Sequence, residues 1–158
     1  MKYVIVVDMQ KDFVDGPLGS PLARVAASNI KAALEKMDRE NTTIIFTQDT
    51  HYENYLETME GKKLPVPHCI LGTEGWEIVS DVLIGAQGLL LPPDLEPFCH
   101  QGRIYKNTFG SPCLMNELRD FLYPDDEVEF WGVCTDICVI SNALMARAYF
   151  PYNKISVN

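Results

Sequence analysis

Apolar positions along this chain fall into two patterns that take turns: short unbroken β-branched runs, and longer stretches with apolar residues three or four apart. Residues 3–7 (YVIVV) are of the first kind and predict a strand buried on both faces, ending at Asp8. Residues 22–39 are of the second kind, with Val25, Ala26, Ile30, Ala33, Leu34 and Met37 at helical spacing. A second strand is predicted at 43–47 (TIIFT), followed at once by Gln48, Asp49, Thr50 and His51. Residues 52–74 are irregular, broken by Gly61, Pro65, Pro67 and Gly72, and contain His68. A loop of that length inside a compact domain is more often functional than idle.

Further on, 76–84 predicts a short helix, 88–91 a short strand and 103–106 (RIYK) another strand. Residues 111–122 predict a helix capped by Ser111 with Pro112 at its first position. Val128, Phe130, Trp131 and Val133 make a buried strand, and a buried helix of about three turns follows from Ile137. Thr135 and Asp136 stand between them, where an N-cap belongs. Residues 154–157 (KISV) begin one more strand.

Strands that alternate with helices pair in parallel and are covered on both faces, so the expected fold is a three-layer α/β/α domain with a mostly parallel sheet. The 158 residues suit one domain, 1–158, with a sizeable core. Ligands of such sheets bind beyond the carboxyl ends of the strands. Asp8, Asp49, His51, Lys106 and the segment from Cys134 to Cys138 all follow predicted strands. The fold would gather on one rim residues that the sequence keeps far apart.

Composition narrows the partners. A net charge of −9 argues against nucleic acid and against an anionic membrane surface, both of which call for a basic patch. No apolar run approaches the roughly 20 residues that span a bilayer, and the first residues become charged too early for a signal peptide. Five cysteines (69, 99, 113, 134 and 138), odd in number and without a CxxC, read as reduced thiols of a cytoplasmic protein.

Two groups of residues carry chemistry. A cysteine in the first turn of a helix, as Cys138 is predicted to be, meets unpaired N–H groups and a positive dipole end, which favour the nucleophilic thiolate. The same N–H groups suit an oxyanion. A carboxylate such as Asp8 can take the thiol proton and return it to a leaving amine, and Lys106 beside both would favour their charged forms. Singly, each has an ordinary explanation: Cys138 as packing, Asp8 as a cap, Lys106 as a solvated charge. The second group is Asp49-x-His51 with His68 seventeen residues on. Two imidazoles and a carboxylate suit Zn²⁺, Fe²⁺ or Mn²⁺, with Glu60 and Glu57 near enough in sequence to add a ligand. Otherwise His51 and His68 are polar loop residues. His100 takes no role.

The strings VIVVDMQKDF (4–13), TQDTH (47–51), PHCILGTEGWEI (67–78), YKNTFGSP (105–112) and GVCTDICV (132–139) resemble, in order and over nearly the whole chain, the isochorismatase-like cysteine hydrolases, and within them the nicotinamidase (pyrazinamidase) branch. The resemblance implies that Cys138 is the nucleophile, Asp8 the general base and acid, and Lys106 the third member of a triad. It implies metal ligation by Asp49, His51 and His68, with Glu60 the candidate additional ligand. It implies that Phe13 packs on the substrate ring. It also implies a cis Val133–Cys134 peptide that turns the Cys134 N–H, with that of Cys138, toward an oxyanion hole. The implied reaction is nicotinamide to nicotinate and ammonia in NAD salvage, with one divalent ion, zinc first and iron or manganese next, on the pyridine nitrogen. Family members usually continue past the strand at 154–157 with further C-terminal elements. A chain ending at Asn158 would leave a sheet face bare, which is a liability or a homo-oligomer surface.

Three other readings stay open. The triad could serve another small amide, a carbamoyl compound or a vinyl ether. Cys134 and Cys138 could form a switchable disulfide. Two histidines and a carboxylate could hold iron in an oxygenase.

Overall fold

The computed structural model describes residues 1–87 and 102–158. The strand predicted at 88–91, Cys99 and His100 lie outside the described residues. Among the described residues, five strands form one sheet: β1 (Lys2–Val7), β2 (Thr42–Asp49), β3 (Arg103–Lys106), β4 (Glu127–Gly132) and β5 (Lys154–Val157), ordered β3-β2-β1-β4-β5. Every pairing is parallel. The helices are α1 (Lys11–Val14), α2 (Pro21–Leu34), α3 (Ser80–Gly85), α4 (Pro112–Phe121) and α5 (Ile140–Tyr149).

The three layers follow from the side-chain period of two in β1. Tyr3, Ile5 and Val7 join a core with Leu114, Met115 and Leu118 of α4 and Ala143 and Ala146 of α5. Val4 and Val6 face the opposite way, into a core with Ala27, Ile30 and Leu34 of α2 and Val82 of α3. A central strand that feeds two cores has no polar side, which is why it reads as an unbroken apolar run.

Helix α2 is shorter than its spacing predicts. Lys36 N–H bonds Ala33 C=O and Met37 N–H bonds Leu34 C=O, so the last turn tightens beyond Leu34 and leaves the α-helix. Its buried stripe is Ala23, Ala27, Ile30 and Leu34, whereas Val25 is exposed. The helix predicted at 76–84 splits into a 3-10 turn at Glu74–Trp76 and α3. Ser111 caps α4 as expected, its hydroxyl accepting from Leu114 N–H at 3.2 Å.

The turn after β4 decides where the rim residues meet. Gly132 has φ +129°, and a Cβ there would collide with the Val7 carbonyl. Only glycine lets β4 pass so close to the end of β1. The Val133–Cys134 peptide is cis. Thr135–Val139 then forms one wide π-type turn, with Val139 N–H bonded to Cys134 C=O, and runs directly into α5. The N-cap position falls on Cys134 rather than on Thr135 or Asp136, and no side chain caps it. No described helix is long and apolar enough to cross a membrane.

Candidate active site and metal centre

Asp8 is the first residue past β1 and takes φ +50°, a left-handed conformation that an aspartate tolerates at some cost. The turn points its carboxylate inward, fully buried. Oδ1 accepts a 2.6 Å hydrogen bond from the Thr47 hydroxyl at the end of β2. Oδ2 lies 2.6 Å from Lys106 Nζ, supplied by the last residue of β3. Lys106 Nζ also approaches Cys138 Sγ at 3.8 Å and Asp49 Oδ1 at 3.6 Å. Strand ends of β1 and β3 and the turn after β4 thus bring Asp8, Lys106 and Cys138 together, as expected for residues at one rim.

Their electrostatics differ from the sequence expectation in one respect. Burial, then the charge of Asp8, pushes the Cys138 thiol up, and Lys106 offsets only part of this. Burial here outweighs the acidifying effect of a helix start and favours the neutral thiol of Cys138 over its thiolate. Burial likewise raises the Asp8 carboxyl, against the pull of Lys106, which makes it a stronger proton acceptor than an ordinary aspartate. Burial opposes the charge on Lys106, but Asp8 and Asp49 hold its ammonium well above the ordinary lysine range.

Next to this cluster Asp49, His51, Glu60 and His68 offer four ligand atoms that all lie within 4.8 Å of one another. His51 Nε2 is 3.0 Å from Asp49 Oδ2 and 3.7 Å from Glu60 Oε1. His68 Nε2 is 3.5 Å from the first and 3.7 Å from the second. Ligands that each sit about 2.1 Å from one ion lie within about 4.2 Å of each other, so a slight contraction suffices. His68 Nδ1 bonds the Val66 carbonyl at 2.8 Å, which leaves Nε2 free to ligate. Two imidazoles and two carboxylates fit zinc, iron or manganese. Burial opposes the Asp49 charge, but His51, His68 and Lys106 hold its carboxyl well below the usual range. Glu57, the other acid considered from sequence, is exposed and outside the group.

Phe13 is buried in α1 with its ring centroid 5.3 Å from that of His68, beside Cys69 and Trp76. A cavity of about 530 Å³ opens next to His51 and Glu60, with Met59, Leu64 and Phe109 on its apolar side. Cys69, Cys113, Cys134 and Cys138 are free thiols.

Several residues in direct contact with the site carried no signal of their own. Thr47 holds Asp8. The Tyr55 ring sits 4.7 Å from His51 and 5.0 Å from His68, and its hydroxyl donates to Leu64 C=O. Asp12 accepts the Cys69 N–H at 2.7 Å and so fixes the residue after His68. Thr47 and Asp12 lie inside or beside the quoted strings, but only the tertiary contact gives them a task.

Residues 2–149 match the isochorismatase domain. The chain belongs to the isochorismatase family. Among relatives in it, an isochorismatase family protein, PncA, of Bacillus subtilis strain 168 is 29% identical over 97% of this chain and 79% of its own. A nicotinamidase of Saccharomyces cerevisiae is 26% identical over 92% and 81%. A pyrazinamidase/nicotinamidase structure from Streptococcus mutans superposes with a TM-score of 0.78 at 26% identity, covering 99% of this chain and 84% of that one. The structure of the pyrazinamidase of Pyrococcus horikoshii, solved in complex with zinc, shares the fold with a TM-score of 0.66 at 24% identity over 97% and 86%. As a member of the isochorismatase family the chain is a hydrolase with this family's parallel α/β fold, and four of its residues are placed so that they could hold a metal ion.

Proposed function

We propose that this chain is a metal-dependent cysteine amidase that converts nicotinamide to nicotinate and ammonia. The observation that carries the reading is the adjacency of two sets of groups, Asp8–Lys106–Cys138 and Asp49–His51–Glu60–His68, joined through Lys106 Nζ. Hydrolysis of an amide by a thiol alone needs only the first set. A second, ligating set beside it suits an amide attached to a ring that carries a nitrogen donor.

Asp49, His51, Glu60 and His68 would hold the ion, zinc being the first choice for this donor set. When bound, the ion offers the pyridine nitrogen a coordination position. Phe13, beside His68, packs against the ring. Asp8 takes the Cys138 proton, and the thiolate attacks the amide carbon. The N–H groups of Cys134 and Cys138 hold the oxyanion, an interaction whose loss costs about 3 kcal/mol in comparable sites. Asp8 passes the proton to the departing amine, so ammonia leaves and a thioester remains. Asp8 then removes a proton from water, hydroxide adds to the thioester carbon, and nicotinate leaves as the thiol regains its proton. Lys106 favours the ionised form of Asp8 between these steps. The free thiols and negative charge accord with residues 1–158 forming one cytoplasmic domain that acts on a small amide.

Ammonia release from nicotinamide is the test. Activity is expected in the parent, to fall on chelation, to return with added zinc, and to vanish in Cys138→Ala with an unchanged circular dichroism spectrum. Turnover retained in that variant removes the nucleophile assignment. Turnover indifferent to chelation removes the ring-nitrogen role and leaves an amide without a ligating ring.

A further inference from the structure

The side chain of Gln10 is fully buried, two residues past Asp8, and belongs to neither of the sets just described. We propose that Gln10 is a positioning residue whose carboxamide stands in for the missing end of β1 and holds the metal ligand Asp49 in place.

The ladder shows why such a residue is needed. β1 and β2 pair in register up to Val7 and Thr47, and Asp8 N–H still reaches Thr47 C=O at 3.2 Å. At Asp8 the left-handed turn carries the chain out of the sheet, while β2 continues through Asp49. The N–H and C=O of Asp49 face the side that β1 has vacated. A buried peptide group without a partner there would cost on the order of 1–3 kcal/mol per group. Gln10 supplies both partners: its Oε1 accepts from Asp49 N–H at 2.7 Å, and its Nε2 donates to Asp49 C=O at 2.8 Å. A glutamine carboxamide has the donor and acceptor of a peptide bond, so it extends the ladder by one residue.

The second Nε2 proton goes to Trp76 C=O at 2.8 Å. Around it, Lys11 N–H bonds Glu77 C=O, Val79 N–H bonds Met9 C=O, and Gln10 bridges Ile78. Gln10 therefore ties together the segment after Asp8, the strand end that carries Asp49 and His51, and the segment that follows His68. The same carboxamide sets the metal group relative to the proton acceptor. Outer partners that fix ligand orientation are worth about 10–100-fold in metal affinity.

The proposal rests on the metal reading above, and the test separates the two. Zinc affinity of the full chain, stripped of metal, is measured by competition with a chelating indicator, and thermal unfolding is followed with and without zinc. Gln10→Met removes all three hydrogen bonds at nearly constant volume. Gln10→Glu keeps the acceptor for Asp49 N–H and is the variant read if the first does not fold. Ile30→Val, in the core beneath α2 and with no hydrogen bond to Asp49, matches a modest loss of stability. The expected result is a loss of zinc affinity of about 10–100-fold for the Gln10 variants and none for Ile30→Val. Zinc affinity within threefold of the parent in a folded Gln10 variant, with unfolding temperatures lowered equally with and without zinc, gives Gln10 a merely structural role and overturns the proposal. A parent chain that binds no zinc overturns the metal reading itself.

Discussion

Lys106 is the side chain on which both sets of site residues depend. It is buried, 2.6 Å from Asp8 Oδ2 and 3.6 Å from Asp49 Oδ1. Its ammonium offsets part of the burial cost of the Asp8 charge. Lys106→Met should therefore destabilise the fold by about 3–5 kcal/mol, the usual effect of leaving one member of a buried pair without the other, measured by urea unfolding. The pH dependence has a definite sign. As the proposed base, Asp8 would act only when ionised, so turnover should fall as pH drops through its pKa. Without Lys106 that pKa rises further, and the acid limb of kcat/KM should move to higher pH. The stability of the neutral carboxyl is present at low pH and lost as pH rises through the raised value, so the variant should be most stable on the acid side. An acid limb that stays in place would show that Asp8 is not the group that titrates. Cys138, Asp8, Lys106, Asp49 and His51 were legible as candidates because strand ends are recognisable from apolar runs, and His68 because it is a second imidazole in a long irregular loop soon after Asp49-x-His51. The upward push on the Cys138 thiol was not, because its burial comes from distant segments and outweighs the local effect of the helix start.

At the scale of elements, the approach of β4 to β1 positions Cys138, the proposed nucleophile. Val133 N–H bonds Val7 C=O at 3.1 Å, and the absent side chain of Gly132 leaves room for that carbonyl. Gly132→Ala should cost about 2 kcal/mol or more, since a methyl there meets backbone and φ +129° is unfavourable to an L residue. Activity should fall by more than stability alone accounts for, because the Cys134–Cys138 turn hangs from this point. Equal specific activity of the folded fraction in parent and variant would separate Gly132 from the chemistry. Among the described residues the five strands were read correctly from the sequence, because apolar β-branched and aromatic runs have few other uses. The end of α2 and the split at 76–84 were not, because tightened turns and 3-10 geometry leave the hydrophobic spacing unchanged.

For the whole molecule, metal binding and folding should be linked. The four candidate ligands come from the end of β2 and the long loop after it, which an unfolded chain does not hold together. A metal that binds only the folded state adds about 2.7 kcal/mol of stability at a hundredfold excess over its Kd. For a chain of this size that is a rise in Tm of roughly 5–10 °C. His68→Ala should abolish the increment while unfolding near the metal-free parent. An equal zinc effect in parent and variant would place the ion elsewhere.

The sequence by itself determined the alternation of strands and helices, the parallel sheet, and the set of polar residues that follow strand ends, because these depend on local periodicity and on which residues interrupt it. Tertiary structure alone decided that Asp8 is held by Thr47, that Tyr55 walls the two histidines, and that Gln10 completes the ladder at Asp49. Each of these is a contact between residues separated in sequence. Burial and hydrogen-bond geometry make such contacts, and neither is present until the chain has folded.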